Sequence, residues 1–271
     1  MNSSLNCPAI VVFDIDGVIR DVSGSYRRAL ADTVEEFTQR AYRPTPEDID
    51  LLKREGSWNN DWEASQELTL RYFESQGHVR TEVKLDYEAL VYFFQSRYRG
   101  PDPENPDHWI GYIAQEPILA TQTYFDNLTQ AGIAWGFFSG ATRGSAAFIL
   151  QRRIGLVAPV LIAMEDAPGK PDPTGLFAVV DILSNREAIS PSAPVLYVGD
   201  TVADMQTAIA AQKQQGDRAW LAVGVLPPHV RQRGLDYAAD YSQSLRAAGG
   251  KVVLDEVQQL TPEQIQHLIL G

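Results

Sequence analysis

Three apolar runs, far apart in the chain, each stop at a residue that carries chemistry. Ala9-Ile10-Val11-Val12-Phe13 runs into Asp14, Ile133-Ala134-Trp135-Gly136-Phe137-Phe138 into Ser139, and Ala193-Pro194-Val195-Leu196-Tyr197-Val198 into Gly199-Asp200. Runs of this kind, without polar alternation, read as strands buried on both faces, and such strands belong to parallel sheets. Ligands of open α/β sheets bind just beyond the carboxyl ends of the strands. The fold class expected is α/β, a doubly wound parallel sheet, with the polar residues gathered at one edge.

The acids come in pairs. Asp14 and Asp16 are two apart at the end of the first run, with Gly17 breaking the strand, so both carboxylates can face one pocket. Acids that close repel, and a cation or a shared proton is expected between them. Asp200 ends the third run and Asp204 lies about one helical turn further if a helix starts near Thr201. A divalent cation such as Mg²⁺ prefers hard oxygen ligands, usually one or two carboxylates with waters and substrate phosphate. Asp14, Asp16 and Asp200 form such a set, and Asp204 is either a direct ligand or a support for the others. Ser139 and the following backbone N–H of Gly140 can hold phosphate oxygens. Lys170 stands in Gly169-Lys170-Pro171-Asp172-Pro173, where its charge could offset Asp14 and a transferring phosphoryl group.

Taken in order, these four segments resemble the motifs of the haloacid dehalogenase superfamily, and the likeness covers nearly the whole chain. It is similar in particular to the subfamily I phosphatases that resemble phosphoglycolate phosphatase. The resemblance implies that Asp14 is the nucleophile and forms an aspartyl-phosphate. It implies that Asp16 protonates the leaving group, then activates water, and contacts Mg²⁺ through its backbone carbonyl. Ser139 and Gly140 would bind the phosphoryl group and Lys170 would stabilise it, while Asp200 would bind the metal with Asp204 in support. The expected activity is that of a phosphoric monoester hydrolase, with Mg²⁺ as cofactor and a small phosphorylated metabolite as substrate. Asp16 argues against a true dehalogenase, which lacks an acid there. Two alternatives stay open. One is a sugar phosphomutase, disfavoured because Tyr26 stands where such enzymes usually carry histidine. The other is a phospho-ligand-binding protein without catalysis.

From Gly17 to Ser139 the chain is far longer than a direct crossover of about 30 residues, so an inserted domain is implied over residues 21–116, with residues 1–20 and 117–271 forming the catalytic core. Its pattern is helical: Tyr26, Ala29, Leu30, Thr33, Val34, Phe37 and Ala41 recur at helical spacing, Thr45 or Pro46 opens a second helix, residues 63–75 read as a third, and Leu85 to Tyr98 as a fourth. A helical insert at this place resembles the C1 cap of the superfamily. In the core, a helix is expected from near Pro117 through Leu128, another over 145–153 and another over 173–184. Further strands are expected over 160–164, 219–223 and 251–254, the last at an edge.

Candidate substrate contacts are Arg20, directly after the first motif, Arg143, four past Ser139, and the cap segment with Trp58, Asn59 and Asn60. Trp62 is expected in the cap core. The net charge of −12 argues against nucleic-acid or acidic-membrane partners, so attraction of a phosphate ester must be local, within about 10 Å. Cys7 is the single cysteine, which offers no internal disulfide or thiolate metal site and suits a reducing cytoplasm. The first eight residues lack the basic and apolar regions of a secretory leader, so a cytoplasmic location is expected. No apolar stretch is long enough to span a membrane. Nothing in the sequence fixes an oligomeric state.

Overall fold

The structure, a computed structural model, describes residues 9–55, 58 and 60–270. Asn59, Gly56, Ser57 and Cys7 lie outside the described residues. The chain divides into two compact units, residues 1–21 with 117–271, and residues 22–116.

The first unit opens with strand β1 (Ile10–Phe13). The second unit then carries helices α1 (Tyr26–Phe37), α2 (Pro46–Arg54), α3 (Asp61–Ser75) and α4 (Tyr87–Tyr98). Its helix starts are written in the sequence. Thr45 accepts a hydrogen bond from the Asp48 N–H while the Asp48 carboxylate accepts from the Thr45 N–H, a reciprocal cap for α2. Asn60 caps α3 and Asp86 caps α4. The unit is held by apolar faces of α1, α3 and α4, with Leu30, Val34, Ala64, Leu68, Leu90 and Phe94 buried. Trp62 is only half-buried on α3, short of the core position expected for it. Tyr26 stacks on Tyr98 with ring centres 4.4 Å apart. Ser25, just before α1, donates a hydrogen bond of 2.5 Å to Glu116 at the far end of the same unit, and both are buried.

The first unit resumes with α5 (Gln122–Gln130), β2 (Ala134–Phe138), α6 (Arg143–Ala147), continued by a π-helical segment over Phe148–Arg153, and β3 (Leu161–Ile162). Then follow α7 (Thr174–Glu187), β4 (Val195–Gly199), α8 (Val202–Gln214), β5 (Trp220–Val225), α9 (Pro228–Gln232), α10 (Leu235–Ala247), β6 (Gly250–Leu254) and α11 (Pro262–Leu270). Helix α5 starts later than the sequence suggests. Residues before it pair instead: Leu119 donates to the Ile19 carbonyl, and Thr121 caps the helix by accepting from the Tyr124 N–H. Neither α9 nor α10 is anticipated by the apolar pattern, because Val230 and Leu245 are the residues these two helices bury.

The sheet has six strands, all parallel, in the order β3-β2-β1-β4-β5-β6. The chain builds outward from β1 in one direction through β2 and β3, then returns to the other side of β1 with β4. That reversal opens a crevice beyond the carboxyl ends of β1 and β4. Alternate residues of β1 serve opposite faces. Ile10 and Val12 belong to a buried cluster with Val179, Leu183, Met205 and Ala208 of α7 and α8. Phe13 meets Tyr124 and Phe125 of α5 edge-on, at 6.1 and 5.7 Å between ring centres. Burying each such side chain contributes about 1.5–3 kcal/mol, enough collectively to fix the strand ends on which the polar residues sit.

Candidate active site

Register aligns the three strand ends. Phe13 of β1 pairs with Phe137 of β2 on one side and Val198 of β4 on the other, and the Asp14 N–H continues the ladder by donating to the Val198 carbonyl at 2.8 Å. Asp14, Ser139 and Asp200 therefore stand side by side just past the sheet. One oxygen from each of Asp14, Asp200 and Asp204 lies within 4.8 Å of the others. The side chain of Asp16 is not part of that cluster; it turns to Arg20, whose Nε lies 2.6 Å from its Oδ1.

Lys170 reaches the cluster from the loop before α7. Its amine sits 2.8 Å from Asp14 Oδ1 and 2.6 Å from Asp204 Oδ1. The second contact is a hydrogen bond. The first is an ion pair off the hydrogen-bond axis, so Asp14 Oδ1 stays buried without an aligned donor.

Asp204 is committed on both oxygens. Oδ1 accepts from Lys170 and, at 3.1 Å, from the Tyr197 hydroxyl. Oδ2 accepts from the Thr201 N–H at 2.9 Å and the Thr201 hydroxyl at 2.6 Å, closing a reciprocal cap at the start of α8. It is fully buried. Asp204 thus stands as the piece that fixes Lys170 and the helix start, beside the other two acids.

Charges in the crevice are strongly biased. Burial pushes the Asp14 carboxyl up to about 7 against the pull of Lys170, and the neighbouring Asp204 and Asp16 push the same way. Burial also raises Asp200 well above the usual carboxylate range, reinforced by Asp204 and Asp14. For Asp204 burial works upward too, but the Lys170 charge and the hydrogen bonds from Lys170 and Thr201 prevail and hold it below its ordinary value. Burial opposes the charge on Lys170, yet Asp14 and Asp204 outweigh it and keep the amine protonated.

The donor set suits a divalent cation. Asp14 and Asp200 are buried carboxylates, hard oxygens in the sense such ions require. Asp14 Oδ1 lacks an aligned donor, and no hydrogen-bond donor among the described residues reaches the Asp200 carboxylate. Their mutual repulsion in a low-dielectric crevice calls for a positive charge beyond Lys170.

Ser139 is buried, and its Oγ accepts from the Ala141 N–H at 3.1 Å, a bond that does not use its own O–H. Gly140 is exposed beside it. This pair can bind anionic oxygens next to Asp14.

The proposed substrate contacts fare differently. Arg20 is completely buried against the first motif rather than presented to a ligand. The Arg143 guanidinium pairs with Asp166, and its backbone N–H donates to the Glu165 carboxylate at 3.0 Å, so its charge is held at the start of α6. In the helical unit, the Asn60 side-chain oxygen accepts from the Trp62 N–H at 2.9 Å to begin α3, and the Trp58 ring N–H donates to Glu55 at 2.9 Å. These bonds have local structural purposes.

Two tyrosines escape sequence reading. Tyr197 is an apolar-looking strand residue whose hydroxyl holds Asp204, and Tyr241 on α10 donates to the Asp200 carbonyl at 2.9 Å. The place of Tyr197 within an apolar strand is visible in the sequence; its partner depends on the turn into α8. Thr201 was signalled by the Thr-x-x-Asp spacing of a capping box.

A family model for haloacid dehalogenase-like hydrolases matches residues 8–212. Imidazoleglycerol-phosphate dehydratase of Phytophthora nicotianae is 30% identical over 247 residues, which is 90% of this chain and 47% of that protein, so the chain spans about half the length of this curated relative. Among solved structures, phosphatase Tt82 from Thermococcus thioreducens superposes with a TM-score of 0.64 at 23% identity, over 79% of this chain and 92% of that one. A phosphonoacetaldehyde hydrolase-like protein from Oleispira antarctica gives 0.63 at 18% identity, over 99% and 96%. Both share the fold. With its motifs on the strand ends of a sheet of this order, the chain belongs to the haloacid dehalogenase-like hydrolases.

Proposed function

We propose that the protein is a Mg²⁺-dependent phosphatase that hydrolyses a small phosphomonoester through an aspartyl-phosphate on Asp14. The observation that carries this reading is the pairing of a buried, donor-poor Asp14 with Lys170, Asp200 and Ser139 at the carboxyl ends of adjacent strands. Asp14 and Asp200 would hold the cation, with the Asp16 backbone, and the cation would supply charge neutralisation for the transferring phosphoryl group.

The chain's own residues perform the rest. Ser139 and Gly140 orient the phosphoryl oxygens by donating hydrogen bonds. Lys170 offsets negative charge on Asp14 and on the phosphoryl group. A carboxylate oxygen of Asp14 attacks phosphorus as the bond to the leaving oxygen breaks, and Asp16 gives that oxygen a proton. Asp16, now ionised, takes a proton from water as the water oxygen attacks phosphorus, releasing phosphate and restoring Asp14. Residues 22–116 act in this reading as a cap that selects the substrate. Tyr26, stacked on Tyr98, leaves no imidazole at the position a mutase would use, which favours water as the acceptor.

The test is phosphate release from a panel of phosphomonoesters with and without chelator. The panel includes glycolate, sugar and imidazole-bearing phosphates, the last because the P. nicotianae relative is named for imidazoleglycerol phosphate. Release that stops with chelator and returns with Mg²⁺ supports the reading; ligand binding without release across the panel contradicts it.

A further inference from the structure

Among the described residues, Arg20 heads the largest side chains buried completely. A guanidinium cannot shed its charge and brings five N–H donors with it, so a fold that buries one needs a reason. The backbone around it folds back tightly. The Arg20 N–H donates to the Ile15 carbonyl at 3.1 Å, and the Arg20 carbonyl accepts from the Gly17 N–H at 2.9 Å. Arg20 is also bridged to Asp16 and to Ile118 in strand-like pairs. This hairpin returns the guanidinium to Asp16, where Nε meets Oδ1 at 2.6 Å.

Asp16 is the most open of the four acids, with its side chain 30% exposed where those of Asp14 and Asp204 are 8% and 0%. An exposed carboxylate on a short stem samples several rotamers. A hydrogen bond from an immobile guanidinium to one oxygen fixes the side chain, whether or not the carboxyl carries a proton, and leaves the other oxygen to hold the proton that is transferred.

We propose that Arg20 is a positioning residue that clamps Asp16 Oδ1 so that Oδ2 meets the leaving-group oxygen. The proposal rests on the aspartyl-phosphate reading above, in which Asp16 delivers that proton. In this assignment Arg20 acts through Asp16 rather than on the substrate.

The experiment compares phenyl phosphate with p-nitrophenyl phosphate. The two have nearly the same shape, but phenolate needs a proton to leave and p-nitrophenolate does not. General acid catalysis contributes about 10²–10⁴-fold where it operates. Arg20→Met is expected to lower kcat/KM for phenyl phosphate by about 10–100-fold and for p-nitrophenyl phosphate by less than about threefold. Asp16→Asn should show the same asymmetry, and the double variant should lose no more than about twofold beyond Asp16→Asn alone. Where Arg20→Met does not fold, Arg20→Lys carries the test, since it keeps the charge and loses the fork, and a reduced ratio of phenyl to p-nitrophenyl turnover is expected.

Equal losses on both esters, additive losses in the double variant, or an unchanged ratio in Arg20→Lys would overturn the assignment. Asp14→Asn is measured alongside. An inactive Asp14→Asn with equal Arg20 losses defeats the clamp alone, whereas an active Asp14→Asn defeats the aspartyl-phosphate reading and the clamp with it.

Discussion

Gly17 and Asp200 compete for one space. A Cβ on Gly17 would stand 2.1 Å from Asp200 Oδ2, and Gly17 has a φ of +78°, in the left-handed region. The turn after β1 can therefore pass the end of β4 only with hydrogen at this position.

Gly17→Ala is accordingly expected to displace the Asp200 carboxylate while leaving the sheet intact. Divalent-cation affinity should fall by about 10–100-fold, the range seen when residues orienting metal ligands are lost, and phosphatase activity should fall with it. Isothermal titration with Mg²⁺ and circular dichroism separate this outcome from unfolding.

Lys170→Met removes the amine that stands 2.8 Å from Asp14 and 2.6 Å from Asp204. Two buried carboxylates then lose their counter-charge, a change that costs about 3–5 kcal/mol when one member of a buried pair is deleted. The loss should be largest near neutral pH and smaller in acid, where the carboxyls protonate. Turnover should drop by about 10²–10³-fold. Urea unfolding at two pH values and steady-state kinetics check both statements.

Tyr197→Phe deletes the hydroxyl that lies 3.1 Å from Asp204 Oδ1 and 3.2 Å from the Phe138 carbonyl. Lys170 and Thr201 still hold Asp204, so the expected cost is about 1 kcal/mol of stability and less than about tenfold in kcat. Thermal unfolding and kinetics on one preparation test it.

The response to cation should depend on pH with a definite sign. Asp14 is raised from an ordinary 3.8 to about 7, chiefly by burial. Its contribution to folding without cation is complete below the unfolded value and is lost as pH rises through about 7. A divalent ion binds the ionised form, so it restores most where that loss is complete. The rise in Tm on adding Mg²⁺ should be at least about 3 °C larger at about pH 8 than at about pH 5.5. Differential scanning fluorimetry reads this directly, and an equal or larger rise in acid contradicts it.

The reach of the sequence follows the range of the forces involved. Asp14, Ser139 and Asp200 were legible because strand burial is a local pattern and parallel strands present their carboxyl ends together. The Thr45 and Thr201 helix starts were legible because capping is a local bond. The partner of Arg20 is not legible in the sequence, since whether an arginine four residues past an acid faces a ligand or folds back on that acid depends on the turn at Gly17 and the pairing with Ile118. The partner of Arg143 is hidden for a similar reason, because Asp166 arrives from the segment after β3. Tyr241 was missed because α10 buries Leu245 alone, too little apolar surface to stand out as a helical face.

The central claim is that Asp14 carries the phosphoryl group in turnover, and rapid acid quench followed by peptide mass spectrometry tests it most directly. Wild-type protein with Mg²⁺ and a turned-over phosphomonoester should show a phosphoryl adduct on the peptide containing Asp14, and Asp14→Asn should show neither adduct nor turnover. Turnover by Asp14→Asn at a rate near that of the wild type would contradict the account.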